Sequence, residues 1–225
     1  MEEHGTTVLF DIFGLKVSSF VTTMWAVMAV ILIISFFATR NLKKVPTGAQ
    51  NVMEFLIQTL IGFFAGVMGE KNAKQYLPIL ATFFIFILLS NYSGLLPMAG
   101  HLPGLAAPTS TLSVTAGFAL VVFFCTHFFG IKEKGLGYFK HFFQPVAFLF
   151  PLMIIEEFVR PLSLSLRLYG NIFGEEMVTA QLFSMAPFGV PIIMQLLGIL
   201  MGLIQAFVFT LLTAVYIGGA TADHH

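Results

Sequence analysis

An all-α polytopic membrane protein is the fold class this sequence predicts, and three observations predict it. The chain is 57% hydrophobic and only 10% charged, with a mean hydropathy of +0.91, which leaves too few polar groups to solvate a soluble surface of this size. Its apolar stretches run far beyond the length of a signal-peptide core, so helices must satisfy the backbone in lipid. Nothing alternates with period two over successive strands, as a membrane barrel requires. Eleven Lys and Arg balance eleven Asp and Glu, so no nucleic-acid partner is expected, and Cys125 alone in an apolar run offers neither a disulfide nor a metal cluster. The chain is read as one membrane domain, 1–225, with five transmembrane helices and one amphipathic helix at the cytoplasmic surface.

Residues 1–19 form an outer N-terminal segment, and 20–38 make the first span, which ends on Arg40, Lys43 and Lys44. A basic flank of this kind marks the cytoplasmic side. In 47–69 the polar Gln50, Asn51, Glu54 and Gln58 interrupt Val52, Met53, Phe55, Leu56 and Leu60 at helical spacing, which predicts the amphipathic surface helix. Lys71 and Lys74 keep the next loop inside, and 77–96 spans again. It closes in Pro97, Gly100, Pro103, Gly104 and Pro108, a cluster without Lys or Arg that faces outward. A third span, 111–129, returns to a loop carrying Lys132, Lys134 and Lys140.

The last third holds two long helices, 143–185 and 190–219, with Pro187 and Gly189 in the hinge between them and a cytoplasmic tail at 220–225. About 40 helical residues reach roughly 60 Å, twice a 30 Å hydrocarbon core, so these helices are expected to be strongly tilted or broken at Pro151 or Pro161. Only Lys16 stands on the outer side in this layout. The amino terminus is therefore expected outside and the carboxyl terminus in the cytoplasm.

Within the first long helix, Arg160, Ser163, Arg167, Asn171 and Gly174 recur at steps of three or four and form one polar stripe. Glu156 and Glu157 lie four and three positions before Arg160, where acid and base pair well if the helix continues through Pro161. Arg167 has no carboxylate at those spacings. A guanidinium cannot discard its charge, and in a membrane it costs roughly 2.5–3.5 kcal/mol on insertion scales, so Arg167 calls for a negative partner from elsewhere. Glu176, nine positions on, falls on the opposite side of the helix and is expected to line a separate aqueous path.

The run Arg160-Pro161-Leu162-Ser163-Leu164-Ser165-Leu166-Arg167-Leu168-Tyr169-Gly170-Asn171, followed by Gly174-Glu175-Glu176, resembles subunit a of F-type ATP synthases of the bacterial or chloroplast-like type. Gln205-Ala206-Phe207-Val208-Phe209-Thr210-Leu211-Leu212 with Tyr216, the tail Asp223-His224-His225, and Pro46-Thr47-Gly48-Ala49-Gln50-Asn51 are similar to the same family. The resemblance implies a plasma-membrane stator with no catalytic chemistry and no cofactor of its own. Its partners would be the c-ring subunits, the b subunits of the peripheral stalk, the lipid bilayer and a transported H+ or Na+. It further implies that Arg167 is the stator charge, that Asn171, Glu176 and Gln205 line the outer half-channel, that Ser163, Glu156 and Glu157 lie near the inner one, and that Glu175 also takes part in ion translocation; Arg160 and Glu156 read besides as a fold-holding ion pair. Some relatives have histidine at the position of Gly198 and an acidic residue at that of Thr111, so water beside Gly198 and Gly202 is the expected substitute here.

Two other classes stand beside this reading. A redox membrane anchor would ligate haem through His127 and His141, and a stand-alone secondary transporter would show an internal repeat. The first leaves the arginine stripe unexplained, and the second lacks its repeat.

Overall fold

The computed structural model describes residues 8–12, 15–40, 43, 48–96, 106–135, 137–138, 150–185 and 189–222. These residues form an all-α polytopic membrane architecture of six long helices: α1 (Ser19–Thr39), α2 (Ala49–Met68), α3 (Glu70–Gly94), α4 (Leu112–Lys134), α5 (Phe150–Met185) and α6 (Val190–Thr221). Five of them, all but α5, are long and apolar enough to cross a membrane by length and composition. The N-terminal segment adds a feature for which no strand is expected, a short antiparallel hairpin of β1 (Val8–Ile12) and β2 (Leu15–Ser18), with Asp11 in register with Lys16. Lys44, Pro46, Thr47, Pro97, Gly100, Pro103, Gly104, Lys140, His141, residues 143–149, Pro187 and the tail Asp223-His224-His225 lie outside the described residues.

Glycine decides where α2 and α4 stop. Gly69, at φ 80°, ends α2 by donating its N–H to the Ala65 carbonyl at 3.0 Å, and its own carbonyl accepts from Ala73 N at 2.9 Å to start α3. Only glycine enters that conformation cheaply. Lys71 and Lys74 therefore stand on the first turns of α3 and not in a loop; Lys74 pairs with Glu70 at 2.6 Å. In the same way α4 runs on to Lys134, which brings Lys132 and Lys134 to its last turn, where cations complement the helix dipole.

On α2 the apolar residues do not share one face. Leu60, Phe64 and Met68 are buried in the core, whereas Val52, Phe55, Phe63 and Val67 are exposed. Apolar side chains cover both sides of the helix, because its pattern is broad enough to serve packing and lipid together.

The core is built on α3 and α6, which run antiparallel. Asn91 Nδ2 donates to the Gly202 carbonyl at 3.0 Å and Tyr92 Oη to the Ile199 carbonyl at 3.1 Å, while Phe83, Phe118 and Phe209 pack ring against ring further along. Small residues let the backbones approach, the usual means of helix association where lipid removes the hydrophobic drive: a Cβ on Gly202 would stand 3.3 Å from both Asn91 and Tyr92, and one on Gly218 3.0 Å from Met68.

α5 continues unbroken through Pro161 for 36 residues, about 54 Å at 1.5 Å per residue. It buries Leu164, Ser165, Leu168 and Ile172 and is antiparallel to both neighbours. Thr115–Ser165 at 3.2 Å and the stacked Phe123–Phe158 rings tie it to α4, and Asn171–Gln205 at 2.6 Å with Arg160 over the Tyr216 ring at 5.6 Å tie it to α6.

Candidate functional site

Because α5 turns Leu164, Leu168 and Ile172 inward, the polar stripe falls along the edge of its buried face. Ser163, Arg167 and Asn171 are exposed, and Arg160 and Gly174 partly so. Arg167 makes no hydrogen bond and no ion pair among the described residues. Apolar side chains flank the stripe, with Leu162, Leu166, Leu196, Leu200 and Leu203 exposed on the two long helices.

Seven residues before Arg167, about 10 Å along the helix, lies a charged cluster. Arg160 Nη2 donates to Glu156 Oε1 at 2.7 Å and Nη1 to Glu157 Oε1 at 3.0 Å. Both bonds exist because residues 156–160 are helical right up to Pro161. Glu157 Oε2 faces His127 Nε2 at 3.7 Å, and Tyr216 covers the guanidinium. Ser163 lies on the exposed face with Arg167, and it has no hydrogen bond to Glu156 or Glu157.

On the other side of Arg167 is a second, mostly uncharged polar group. Asn171 Nδ2 donates to Gln205 Oε1 at 2.6 Å, and Gln205 is only 2% exposed. Glu175 and Glu176 part company beyond it. Glu176 brings its carboxylate to Gly94 at the end of α3, 3.4 Å from where a Cβ would stand there, on the side of α5 away from Arg167. Glu175 turns to α6, and its Oε1 occupies the place a Cβ would take at Gly198, together with Leu95. At the two glycines where water is expected, the structure places side chains nearby: the Glu175 carboxylate and Leu95 at Gly198, and Asn91 and Tyr92 of α3 at Gly202. A long acidic side chain one position before Glu176 reaches the space a glycine leaves open. Thr111 precedes α4, its carbonyl accepting from Val114 and Thr115 at 3.1 and 3.2 Å.

Sequence reasoning passed over Ser90, Asn91 and Tyr92. The signal was the polar run Ser90-Asn91-Tyr92-Ser93 inside an apolar span, where polar residues are costly enough to need a reason. Ser90 Oγ, Asn91 Oδ1, Thr109 Oγ1 and Gln205 Nε2 are buried without a hydrogen-bond partner among the described residues.

Comparison with known proteins finds relatives over most of the chain. A family model described as ATP synthase A chain matches residues 21–218. The chain is 48% identical over 217 residues to ATP synthase subunit a of Moorella thermoacetica, covering 96% of both chains. It is 44% identical over 209 residues to ATP synthase subunit a 3 of Pelobacter propionicus, covering 91% of this chain and 88% of that one. With ATP synthase subunit a of Geobacter sulfurreducens the identity is 45% over 205 residues, with 89% and 86% covered.

Proposed function

The chain belongs to the ATP synthase A chain family, and on that premise we propose that α5 and α6 form the stator face against a rotating c-ring, with Arg167 as the fixed charge between two offset half-channels. The observation that carries this reading is Arg167 itself, exposed and flanked by apolar side chains with no counter-ion of its own among the described residues. A partner that brings a carboxylate in lipid supplies what it lacks. The chain holds the charge and performs no covalent chemistry; b subunits of a peripheral stalk would keep it from turning with the ring.

The energetics suit that role. A ring carboxylate buried in lipid has its proton affinity raised by up to about 3–5 pKa units and travels neutral. At about 4 Å from Arg167, with an effective dielectric near 20, attraction to the ionised form is on the order of 4 kcal/mol, or about three units. The two effects are of similar size, so the carboxylate releases its H+ or Na+ beside Arg167 and takes another once past it. The same fixed charge repels a cation that would cross directly from one half-channel to the other.

On this reading Asn171, Gln205, Glu175 and Glu176 line the outer half-channel, whose orphaned polar atoms on Ser90, Asn91, Thr109 and Gln205 are of the kind that ordered water satisfies. Glu156, Glu157 and Ser163 belong to the inner one, and Arg160 holds the two glutamates in place. The amino terminus lies outside and the carboxyl terminus in the cytoplasm, in a plasma membrane. The haem-anchor alternative loses its first ligand, because both ring nitrogens of His127 face partners, Tyr138 and Glu157.

Arg167→Ala in the assembled complex, reconstituted in vesicles, tests the proposal. ATP-driven ion pumping should be lost while assembly is retained, and removal of the catalytic head should reveal an added passive leak. Normal pumping would reduce Arg167 to a structural residue and overturn the reading.

A further inference from the structure

The charged cluster does not end at Glu157. His127 of α4 stands between two partners, its Nδ1 2.8 Å from the Tyr138 hydroxyl and its Nε2 3.7 Å from Glu157 Oε2. Arg160 engages the other oxygen, Oε1, at 3.0 Å. The two oxygens of Glu157 are thereby distinguished: Oε1 is held by a permanent cation, and Oε2, the oxygen left to take up a proton, faces the imidazole. A small cavity lined by Val122, Phe123, Thr126, Arg160, Pro161 and Tyr216 adjoins Glu157, with room for about one water molecule. Thr126 Oγ1 is buried without a hydrogen-bond partner among the described residues.

Phe123 and Tyr138 hold the imidazole in this orientation. Phe123 packs edge-on against the ring at 4.2 Å, and Tyr138 closes over Gly130, where a Cβ would stand 2.5 Å from the tyrosine ring. Tyr138 lies beyond the end of α4, is 5% exposed, and has its hydroxyl pushed up to about 12 by burial and by the nearby Glu157 charge. It therefore keeps its proton. Towards neutral histidine the hydroxyl donates to Nδ1, which leaves the imidazole proton on Nε2, facing Glu157; towards imidazolium it accepts from Nδ1–H. The geometry serves both charge states of the ring without moving a backbone atom.

We propose that His127 is a positioning residue of the inner half-channel, one that changes charge with pH and so sets how readily Glu157 holds a proton, with Tyr138 fixing its ring. The inference rests on the stator reading above. The charged and titratable groups facing the imidazole or its partner are Glu157, Glu156 and Arg160 from α5, Tyr138 from the segment after α4, and Tyr216 from α6. With His127 protonated, a second cation faces Glu157 and keeps its carboxylate ionised. With His127 neutral, Arg160 remains as the cation beside Glu157. Acidification of the inner side thus meets a carboxylate that resists protonation, and a half-channel that stays open to ions at lower pH.

The test uses the assembled complex in vesicles stripped of the catalytic head, with a potassium diffusion potential driving charge through the membrane sector and only the head-side pH varied. A voltage-sensitive dye reads conduction whichever ion is carried. His127→Gln keeps a hydrogen-bonding side chain but cannot titrate. Its acid-side half-point should move to higher pH by about one unit, a tenfold change in proton concentration, and Tyr138→Phe should move it in the same direction by less. In a Glu157→Gln background His127→Gln should have no further effect. An unchanged profile in His127→Gln overturns the proposal. Should that variant fail to assemble, an unchanged profile in Tyr138→Phe overturns it. Arg167→Ala separates the two levels: normal pumping there defeats the stator reading, whereas lost pumping there with an unshifted His127→Gln profile defeats this inference alone.

Discussion

Replacing Gly198 by alanine asks whether the notch in α6 exists for the Glu175 carboxylate. An added Cβ would overlap Glu175 Oε1 and stand 2.8 Å from its Cδ and 2.7 Å from Leu95 Cδ2, where ordinary carbon contacts lie near 3.5–4.0 Å. The carboxylate must therefore withdraw by roughly 1 Å or more. Both obstructing groups are the far ends of flexible side chains, so the stability cost falls at the low end of the range for an overpacked core, about 1 kcal/mol. The consequence for transport is separate: if Glu175 serves the outer half-channel from this place, a disturbance of about 1 kcal/mol at the barrier slows flux about fivefold. The assay is a double-mutant cycle of Gly198→Ala and Glu175→Ala, read as ATP-driven pumping in vesicles and normalised to assembled complex. With the carboxylate gone, the alanine should no longer matter, giving a coupling of about 1 kcal/mol. Independent, additive losses would show that Glu175 and Gly198 do not share the notch, and would refute the argument.

Two further outcomes are expected. Glu176→Gln should slow ion flux without uncoupling it from ATP hydrolysis, since the group lies away from Arg167; full wild-type flux in vesicles would remove it from the path. Gly130→Ala drives a methyl group into the rigid ring of Tyr138, with contacts of 2.5, 2.9 and 3.1 Å, and should lower stability by about 1–3 kcal/mol, seen as an earlier thermal transition in detergent; an unaltered transition would mean that the ring gives way freely.

Arg167 shows how far the sequence reaches. An unpaired guanidinium in an apolar chain declares itself by its cost, and the absence of a carboxylate three or four positions away already says that its partner is not local. Arg160 declares its partners equally well, because Glu156 and Glu157 stand at helical spacing and only the helical course of residues 156–160 had to be added. Glu175 did not declare itself. Its neighbour across the interface, Gly198, is 23 positions away, and nothing local in either residue announces the pairing. His127 was legible only as a candidate haem ligand of a rival class, because Glu157 is on another helix and Tyr138 beyond the turn that Gly135 opens at φ 59°.

By itself, then, the sequence determined the membrane class, the long helices and the charged stripe on α5, because hydropathy and helical periodicity act within one segment and are indifferent to the rest of the chain. The tertiary structure decided which polar groups meet. It joined Asn171 to Gln205, seated Glu175 in the notch of Gly198, turned Glu176 towards Gly94, and set His127 against the free oxygen of Glu157. Those contacts depend on how two helices are rotated and shifted against each other, and that is fixed by the packing of whole faces, glycine against side chain, which no single segment encodes.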